Sequence, residues 1–360
     1  MELVEWKWWF RYVVDILEGS VSCKKKLYEW YNIIQDNIYL IKKMEGYINA
    51  LYQTMMDNKE SMNLSSLKVM VPEEDKWIYI IALILHSKNL EKLFEKMNFA
   101  SDIFKSTIEE LLRKMEATSR EGKQVYDINI EWINRVFTFN IIQLGRLQFG
   151  FGTITEPLYV VQNQVTKELK LFLDNQWFNE IGYIEEGEGK KEEVSRSKFE
   201  ETELYLKGTE INIQEGRFLG KEICLMKPQW RLIRKPGDQI IEVHIPYGKR
   251  LEKEACIESF NRFEEICNLI PYKSNGYICR SWLMGGSIQS YIKPDSNIGR
   301  FRRLFALYPC YRSEKEIWRR VFNQEVKPEK DFVPRTELQR NLLNGYKKNE
   351  KFFGGAGIRL

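Results

Sequence analysis

The spacing of apolar residues changes along this chain, and that change limits the folds it can adopt. In the first third, apolar side chains recur every three or four residues, as at Ile41, Met44 and Ile48, which places them on one face of a helix. From residue 146 onward, segments such as 146–151 alternate with a period of two, which is typical of a β-strand with one buried face. The sequence therefore predicts an α+β protein, with a helical front section followed by a mixed α/β section.

The front section predicts a series of helices. A candidate cap at Asp36 precedes the first periodic segment, and Pro72 followed by acidic residues is typical of a helix start. The segment Trp77–Leu85 is apolar on nearly every side, which predicts a buried helix with His86 as a core histidine. Apolar periodicity also predicts helices around Ile108–Met115 and over Ile128–Asn140.

The rest of the chain predicts strands and helices that alternate, and we place a domain boundary between residues 1–124 and 125–360. The segment 185–201 is rich in Glu, Lys, Gly and Ser, so it predicts a mobile, solvated loop. The predicted strands cover Arg146–Phe151, Tyr159–Val161, Leu169–Phe172, Gln239–Ile245, Gly276–Leu283 and Phe352–Leu360, and the predicted helices cover Lys253–Leu269, Ser296–Leu304 and Glu337–Lys347.

Charge and hydropathy argue against two classes of partner. The chain has 55 Lys and Arg against 51 Asp and Glu, and a net charge of +4 does not predict nucleic-acid binding. No apolar run reaches the roughly 18 residues of a spanning helix, and the acidic amino terminus does not fit a signal peptide. We therefore expect neither a nucleic-acid partner nor a membrane partner.

The thiols and imidazoles are spaced unlike a metal site. Six cysteines and two histidines without CxxC spacing predict neither a zinc site nor a disulfide scaffold, so no metal is expected. Cys256 and Cys267 fall on a predicted helix with apolar neighbours, which predicts buried thiols. Reduced thiols in turn indicate a cytoplasmic location.

Three segments carry a resemblance to a known family, namely Val243–Pro246, Cys279–Leu283 and Asp295–Ile298. In this order and spacing they resemble a bacterial family of acyltransferase-domain proteins. That family has a helical N-terminal domain and a C-terminal domain similar to the GNAT fold (general-control-related N-acetyltransferase). The resemblance implies a transferase that moves an acyl group from acetyl-CoA or another acyl-CoA to an amine or hydroxyl of a small acceptor.

The resemblance also implies where acyl-CoA binds. In the acetyltransferase fold a central strand splays from its neighbour, and its backbone groups bind the pantetheine arm; here these groups belong to Val243 and Ile245. The following loop and helix N-terminus bind the pyrophosphate, because N–H groups and the helix dipole favour anions there. The loop residues implied are Tyr247, Gly248, Lys249 and Arg250. This loop has one glycine, whereas the usual signature of the superfamily has spaced glycines after a Gln or Arg.

His244 and Glu242 are the candidate catalytic bases. Strand residues two positions apart project from the same face, so their side chains are expected to lie side by side. A neutral imidazole can accept a proton from an attacking amine or hydroxyl near neutral pH. Glu242 would orient the imidazole or act as the base itself. The alternatives are structural: the His244 ring bonds a backbone carbonyl, or Glu242 pairs with a cation.

Further candidates follow on the next predicted strand. Ser281 shares a face with Cys279, while Arg280 points to the other side. Ser281 is a candidate for hydrogen bonding to the substrate or cofactor. Cys279 would need a lowered pKa and a nearby base to act as a nucleophile, so a buried core cysteine is the favoured interpretation.

The segment after this strand supplies the remaining candidates. The resemblance implies a tyrosine near Tyr308 that protonates the departing thiolate. Asn297 follows Ser296 at the start of a short helix, where it would bind substrate or cap the helix. Arg300, Arg302 and Arg303 are expected on a solvated face of that helix rather than around an anion.

Two further hypotheses stay open. One is a non-catalytic binding or assembly protein that retains the fold, which the missing spaced glycines favour. The other is a hydrolase or transferase without CoA that uses Cys279 or Ser281. The sequence leaves the acyl group, the acceptor and the oligomeric state open.

Overall fold

The computed structural model describes residues 3–61, 71–184, 195–270, 272–274, 276–329 and 331–360. The chain forms two compact units, of which the first comprises residues 1–151, 245–249 and 255–273 and the second residues 152–244, 250–254 and 274–360. Helices come first in the chain, and strands mixed with helices follow. The predicted α+β class is therefore confirmed.

The first unit is mainly helical. Its helices are α1 Leu3–Ile16, α2 Val21–Gln35, α3 Ile38–Ser61, α4 Lys76–Lys96, α5 Ser101–Ile108, α6 Glu110–Arg120, α7 Ile130–Phe137 and α8 Lys253–Ile266, and its strands β1 Ile141–Leu144 and β2 Leu147–Thr153 form an antiparallel hairpin. The last two residues of β2 and the first two residues of α8 belong to the second unit. Short 3-10 turns occupy Glu73–Asp75 and Cys267–Leu269.

Helix starts follow local side-chain chemistry, with two corrections to the sequence prediction. Asp36 is the C-terminal cap of α2, so its assignment as the start of the next helix was wrong. The carboxamide oxygen of Asn37 instead accepts hydrogen bonds from the backbone N–H groups of Tyr39 (3.0 Å) and Leu40 (3.2 Å). An Asn one residue before a helix commonly satisfies its first donors in this way. A second correction concerns the single helix predicted around Ile108–Met115. The structure has two helices there, α5 and α6, which are separated at Glu109.

Helix α4 lies at the centre of the first unit. All residues from Ile78 to Leu85 are buried, which confirms the prediction of a buried helix. His86 is buried as well, and its Nε2 lies 3.1 Å from the carbonyl oxygen of Phe137. Burial lowers the pKa of His86 to about 4, so the ring is neutral and fills a core position, as predicted.

Strand β2 is buried on both faces, although its alternation predicted only one buried face. Phe149 packs against Phe260 and Phe263 of α8, with ring centroids 5.7 and 4.9 Å apart. On the other face, Gln148 donates a hydrogen bond of 3.0 Å to the carboxylate of Glu110. The polar face of β2, which carries Gln148, therefore packs against a buried polar cluster instead of facing solvent.

That polar cluster is centred on Glu110, which is 3% exposed. One carboxylate oxygen accepts from Trp132 Nε1 at 2.9 Å, and the other accepts from Arg113 Nε at 3.0 Å. Burial alone would raise the pKa of Glu110, but Lys114 and Arg113 outweigh it and lower the pKa below 4.5. The carboxylate is thus charged and fully partnered inside the first unit.

The second unit is mainly β. Its strands are β3 Leu158–Asn163, β4 Leu169–Leu173, β5 Trp177–Phe178, β6 Ser195–Arg196, β7 Phe199–Glu201, β8 Tyr205–Asn212, β9 Arg217–Met226, β10 Trp230–Arg234, β11 Gln239–His244, β12 Tyr277–Ser281, β13 Ala306–Pro309 and β14 Gly355–Arg359, and its helices are α9 Asn297–Arg302, α10 Lys315–Ile317 and α11 Glu337–Lys347. Residues Trp282–Met284 and Gly286–Tyr291 form 3-10 turns, and Trp318–Phe322 form a π-helical turn.

Four of these strands lie side by side in the order β11, β12, β14, β13. The β11–β12 pair is parallel, and the pairs of β14 with β12 and β13 are antiparallel. One face of this sheet carries Ile240, Ile278 and Ile358, which join a buried cluster with Val160 and Leu171 of the β3–β4 hairpin. Side chains on that face are therefore largely screened from solvent.

Three sequence predictions need correction, two in the second unit and one in the first. Residues 185–194 of the predicted loop lie outside the described residues, whereas 195–201 contain strands β6 and β7. The strand predicted to reach Leu283 ends at Ser281, whose hydroxyl accepts from the Leu283 N–H and starts a 3-10 turn. In the first unit, Cys256 is buried as expected, but Cys267 is only partly buried.

No helix in the described part of the chain combines the length and the apolar character needed to cross a bilayer.

We predict that Glu110→Gln lowers the free energy of unfolding at pH 7 by about 1.5–3 kcal/mol, since hydrogen bonds to a charged group are lost. A carboxyl whose folded pKa is lowered stabilises the fold above pH 4.5, and this contribution disappears as the pH falls further. The difference from the wild type should therefore shrink below pH 4.5. Urea unfolding followed by circular dichroism at several pH values measures it.

The matched control is Glu29→Gln. Glu29 pairs with Lys26 at 3.0 Å, and both side chains are nearly half exposed. This change should cost less than about 1 kcal/mol, as exposed ion pairs do. Equal losses in the two variants would contradict the role assigned to Glu110.

Candidate functional site

Two sequence-predicted site residues lie together at the end of β11. Glu242 and His244 project from the same face of the strand, and His244 Nε2 lies 3.5 Å from Glu242 Oε2. Their side chains are 19% and 25% exposed, so both reach solvent while most of their surface is covered. The carboxylate and the imidazole therefore face each other, at a distance too long for a strong hydrogen bond.

The register of the sheet brings Arg280 to the same face. Glu242 pairs with Ile278 across the parallel ladder, and Arg280 is two residues further along β12. Arg280 Nη1 donates to Glu242 Oε1 at 3.0 Å. The same guanidinium donates to both carboxylate oxygens of Glu156, from Nε at 2.5 Å and from Nη2 at 2.9 Å. Arg280 thus joins two carboxylates, one of which contacts the imidazole.

The pKa values of Glu156 and Arg280 are shifted because this network is mostly buried. Burial alone would raise the pKa of Glu156, but the hydrogen bond and charge of Arg280 outweigh burial and lower it. Burial would likewise lower the pKa of Arg280, but the hydrogen bond and charge of Glu156 raise it. The ion pair is therefore charged at neutral pH, and with Glu242 it forms a fixed chain toward His244.

Tyr308 and Cys310 lie on the neighbouring part of the same face. Tyr308 pairs with Ala356, the residue that also pairs with Arg280. Tyr308 is fully buried, and its hydroxyl has no hydrogen-bond partner among the described residues. Burial first, and then the charge of Glu156, raise the pKa of Tyr308 well above 10. The phenol therefore keeps its proton near neutral pH.

Cys310 is a hydrogen-bond donor to the network. Its Sγ lies 3.5 Å from Glu156 Oε1. Burial, followed by the charge of Glu156, raises the pKa of Cys310 to about 12. The thiol is therefore protonated near neutral pH and is a poor nucleophile, because the thiolate is the reactive form.

The structure keeps two predicted site residues away from this network. Ser281 lies on the opposite face of the sheet with Cys279, and its hydroxyl accepts from the Leu283 N–H at 3.4 Å. Asn297 is the first residue of α9, whose cap is Ser296; the Ser296 hydroxyl accepts from the Gly299 N–H at 3.1 Å. Ser296 therefore caps α9, and Asn297 does not.

The loop after β11 is open to solvent. Val243 is buried and Ile245 is partly buried, whereas Tyr247, Gly248, Lys249 and Arg250 are exposed. Gly248 has a φ of +121°, a conformation that glycine adopts without strain, and a Cβ there would meet no atom within 4 Å. The loop therefore presents its backbone and two cationic side chains at the surface.

The pairing between β11 and β12 is short. Within the described residues the ladder pairs Ile241 with Tyr277 and Glu242 with Ile278. Strand β11 continues to His244 and β12 continues to Ser281, where its other edge still pairs with β14. The two parallel strands therefore extend beyond the end of their common ladder, at the position of His244.

A close approach at Gly152 gives Glu242 its space. A Cβ at residue 152 would lie 2.9 Å from Glu242 Cδ, closer than real Cβ contacts. The absence of a side chain at 152 therefore allows Glu242 to occupy its position between Arg280 and His244.

Sequence reasoning missed part of this site. Arg280 was correctly placed on the face opposite Cys279 and Ser281, but alternation within one strand does not show that this is also the face of Glu242, which depends on the register of β11 and β12. Glu156 lies in the connection between β2 and β3, where no periodicity predicts the direction of a side chain. Among the described residues, no group of three His, Cys, Asp or Glu has the geometry of a metal site.

Residues 141–359 match the family model of the GNAT-like C-terminal domain, which is more than half of the chain. The chain belongs to this family. The GNAT-like region begins at β1 and ends with β14, and it follows the helices that end at Phe137. The resemblance inferred from the sequence is thereby confirmed.

Solved structures share the fold of this GNAT-like protein at 14% sequence identity. An acyltransferase in complex with decanoyl-CoA and teicoplanin has a TM-score of 0.61, with 97% of this chain and 86% of that chain covered. A single-residue variant of an acyltransferase in complex with octanoyl-CoA has a TM-score of 0.63 with the same coverage of 97% and 86% and the same 14% identity. An acyltransferase in complex with CoA and 10C-teicoplanin has a TM-score of 0.56, with coverage of 89% and 77% and 14% identity. The curated proteins contain no match.

We predict that Arg280→Gln lowers the free energy of unfolding by about 3–5 kcal/mol, because it leaves two mostly buried carboxylates without their cation. Adding Glu156→Gln removes one of those charges, so the double variant should be more stable than Arg280→Gln alone. Denaturant unfolding of the wild type, both single variants and the double variant completes the cycle.

The control for this cycle is Arg319→Gln, since Arg319 forms an exposed ion pair with Glu325 at 3.2 Å. It should cost less than about 1 kcal/mol. A double variant that loses the sum of the two single effects would show that Arg280 and Glu156 act independently.

Proposed function

We propose that this protein is an acyl-CoA-dependent acyltransferase, which moves an acyl group from a CoA thioester to an amine or hydroxyl of a small acceptor. The observation that supports it most is the chain of contacts from Glu156 through Arg280 and Glu242 to His244. It lies in the GNAT-like region, at the point where the β11–β12 ladder ends.

His244 is the proposed general base. Its Nε2 lies 3.5 Å from the Glu242 carboxylate, and we propose that Glu242 keeps the proton on this nitrogen while Nδ1 acts as the acceptor. The nucleophile attacks the thioester carbonyl while Nδ1 takes its proton. The C–S bond then breaks, and the CoA thiolate leaves and is protonated. Glu242 already accepts from Arg280, so we assign it the role of orienting the imidazole instead of removing the proton itself.

Other groups complete the proposed reaction. A backbone N–H in 243–245 would stabilise the oxyanion that forms on the carbonyl oxygen. Tyr308 keeps its proton near neutral pH and is the proposed donor to the departing thiolate. Ser281 and Asn297 lie apart from this network, and we propose them only as more distant substrate contacts.

The proposed site for acyl-CoA follows β11 in the chain. The pantetheine arm would bind backbone groups of Val243 and Ile245 beyond the end of the β11–β12 ladder. The pyrophosphate would bind the exposed loop of Tyr247, Gly248, Lys249 and Arg250, which leads to the N-terminus of α8. Because proteins with this fold were solved with octanoyl-CoA and decanoyl-CoA, we propose medium-chain acyl-CoAs beside acetyl-CoA as donors.

The second candidate is a binding protein that has the fold without the chemistry. The loop at 247–251 has one glycine instead of spaced glycines, which favours this candidate. The following two experiments separate binding from catalysis.

We predict that CoA stabilises the protein against heat. A ligand that binds only the folded state adds about 2.7 kcal/mol at roughly a hundred times its dissociation constant. The shift in Tm should be largely lost in the Lys249→Ala/Arg250→Ala variant and kept in a Lys347→Ala/Lys348→Ala control, where two exposed lysines end α11. Differential scanning fluorimetry with CoA, acetyl-CoA and octanoyl-CoA measures it. No shift with any of the three would contradict the proposal.

We predict that His244→Ala lowers kcat by roughly a hundred- to ten-thousand-fold, the usual contribution of a general base. The Tm shift with CoA should stay within about twofold of the wild type. Release of free thiol from acetyl-, octanoyl- and decanoyl-CoA in the presence of amine acceptors measures turnover. Glu242→Gln should lower kcat less than His244→Ala. Binding without turnover in the wild type would favour the non-catalytic candidate, and unchanged turnover in His244→Ala would remove the base assignment.

A further inference from the structure

The second unit contains a cavity of about 220 Å³ whose wall is mainly cationic. It is lined by Lys253 and Glu254 at the start of α8, and by Arg300, Arg303 and Leu304 at the end of α9. Three cations and one carboxylate therefore surround the cavity. The network of Arg280 and Glu242 does not contribute to this wall.

The two arginines face the cavity from one side of α9. Arg300 and Arg303 are three residues apart, which places them on the same face of a helix. Both are exposed. Arg302, between them, is buried and donates to the carbonyl oxygen of Gly285 at 2.8 Å. The expectation that all three arginines are solvated was therefore wrong for Arg302, which supports the turn, whereas Arg300 and Arg303 are available to a ligand.

The cations of the cavity are weakly neutralised by the protein. In the described ranges, neither Lys253 nor Arg300 forms an ion pair with a carboxylate within 4.0 Å. Arg303 donates to the Pro294 carbonyl oxygen at 2.7 Å and lies 3.9 Å from Asp295, whose side chain is 89% exposed. Guanidinium groups with free donors match the oxygens of a phosphate, which accepts two parallel hydrogen bonds from each.

We infer that this cavity binds the 3′-phosphate of the CoA ribose, an inference that rests on the proposed function. CoA carries two separate phosphate groups, a 5′-pyrophosphate and a ribose 3′-phosphate. The pyrophosphate is assigned to the loop 247–251, and Lys253 follows this loop after one residue. The cavity beside Lys253 is then the place for the second group, where Arg300 and Arg303 bind its oxygens and Leu304 supplies an apolar wall. These residues would select CoA against donors that lack the 3′-phosphate.

Isothermal titration of CoA and dephospho-CoA, which lacks only the 3′-phosphate, tests the inference. The wild type should bind CoA roughly ten- to a hundredfold more tightly, the range expected for losing charge-assisted hydrogen bonds. The Arg300→Gln/Arg303→Gln variant should bind CoA as weakly as dephospho-CoA, with its dissociation constant for dephospho-CoA unchanged within about twofold. The control is Arg319→Gln/Arg320→Gln, two exposed arginines outside the cavity, which should keep the preference.

Each other result has a distinct meaning. If the wild type binds both compounds equally, the inference is overturned while the proposed acyltransferase stands. If it binds neither, both are overturned. Adenosine 3′,5′-bisphosphate should compete with CoA at a lower concentration than inorganic phosphate. Equal competition by inorganic phosphate would show a general anion site and would overturn the assignment to the nucleotide.

Discussion

The guanidinium of Arg280 holds two carboxylates in a mostly buried part of the sheet, and the arrangement of the proposed site depends on it. Removing charges from water is costly unless each is paired and hydrogen bonded. Arg280 donates to both oxygens of Glu156 and to one oxygen of Glu242, so the second oxygen of Glu242 is directed at His244. Arg280 therefore fixes the carboxylate whose second oxygen lies 3.5 Å from His244 Nε2.

The sheet provides the frame for this network. The parallel register of β11 and β12 places Glu242, His244 and Arg280 on one face, and β14 between β12 and β13 brings Tyr308 to that same face. The apolar neighbours of these residues belong to the core shared with the β3–β4 hairpin. Low polarity around the network strengthens its electrostatic interactions, and it also raises the pKa values of Tyr308 and Cys310, so that both keep their protons.

Much of the fold and part of the site could be predicted from the sequence. The apolar character of Trp77–Leu85 on nearly every side identified α4 as buried, and the β-branched residues of Gln239–Ile245 identified β11 as a strand. Period-two alternation put Glu242 with His244 and Arg280 opposite Ser281. The contact of Arg280 with Glu242 could not be predicted, because it depends on the register between strands distant in sequence. Glu156 was missed because irregular backbone carries no periodic signal, and the buried position of Tyr308 depends on packing against other strands. Asp36 was misassigned because an Asn one residue later offers the better geometry for a cap.

Gly152 has a consequence for how this sequence can diverge. The missing Cβ at 152 leaves the volume that the side chain of Glu242 occupies, so the two positions share one space. Substitutions at one are compatible only with a matching change in size at the other, and the pair should vary together among homologues. A homologue with a larger residue at 152 and a shorter one at 242 would retain strand β11 but lack the carboxylate at 242. Residue 152 would then distinguish the members that retain the proposed catalytic arrangement from those that retain only the fold.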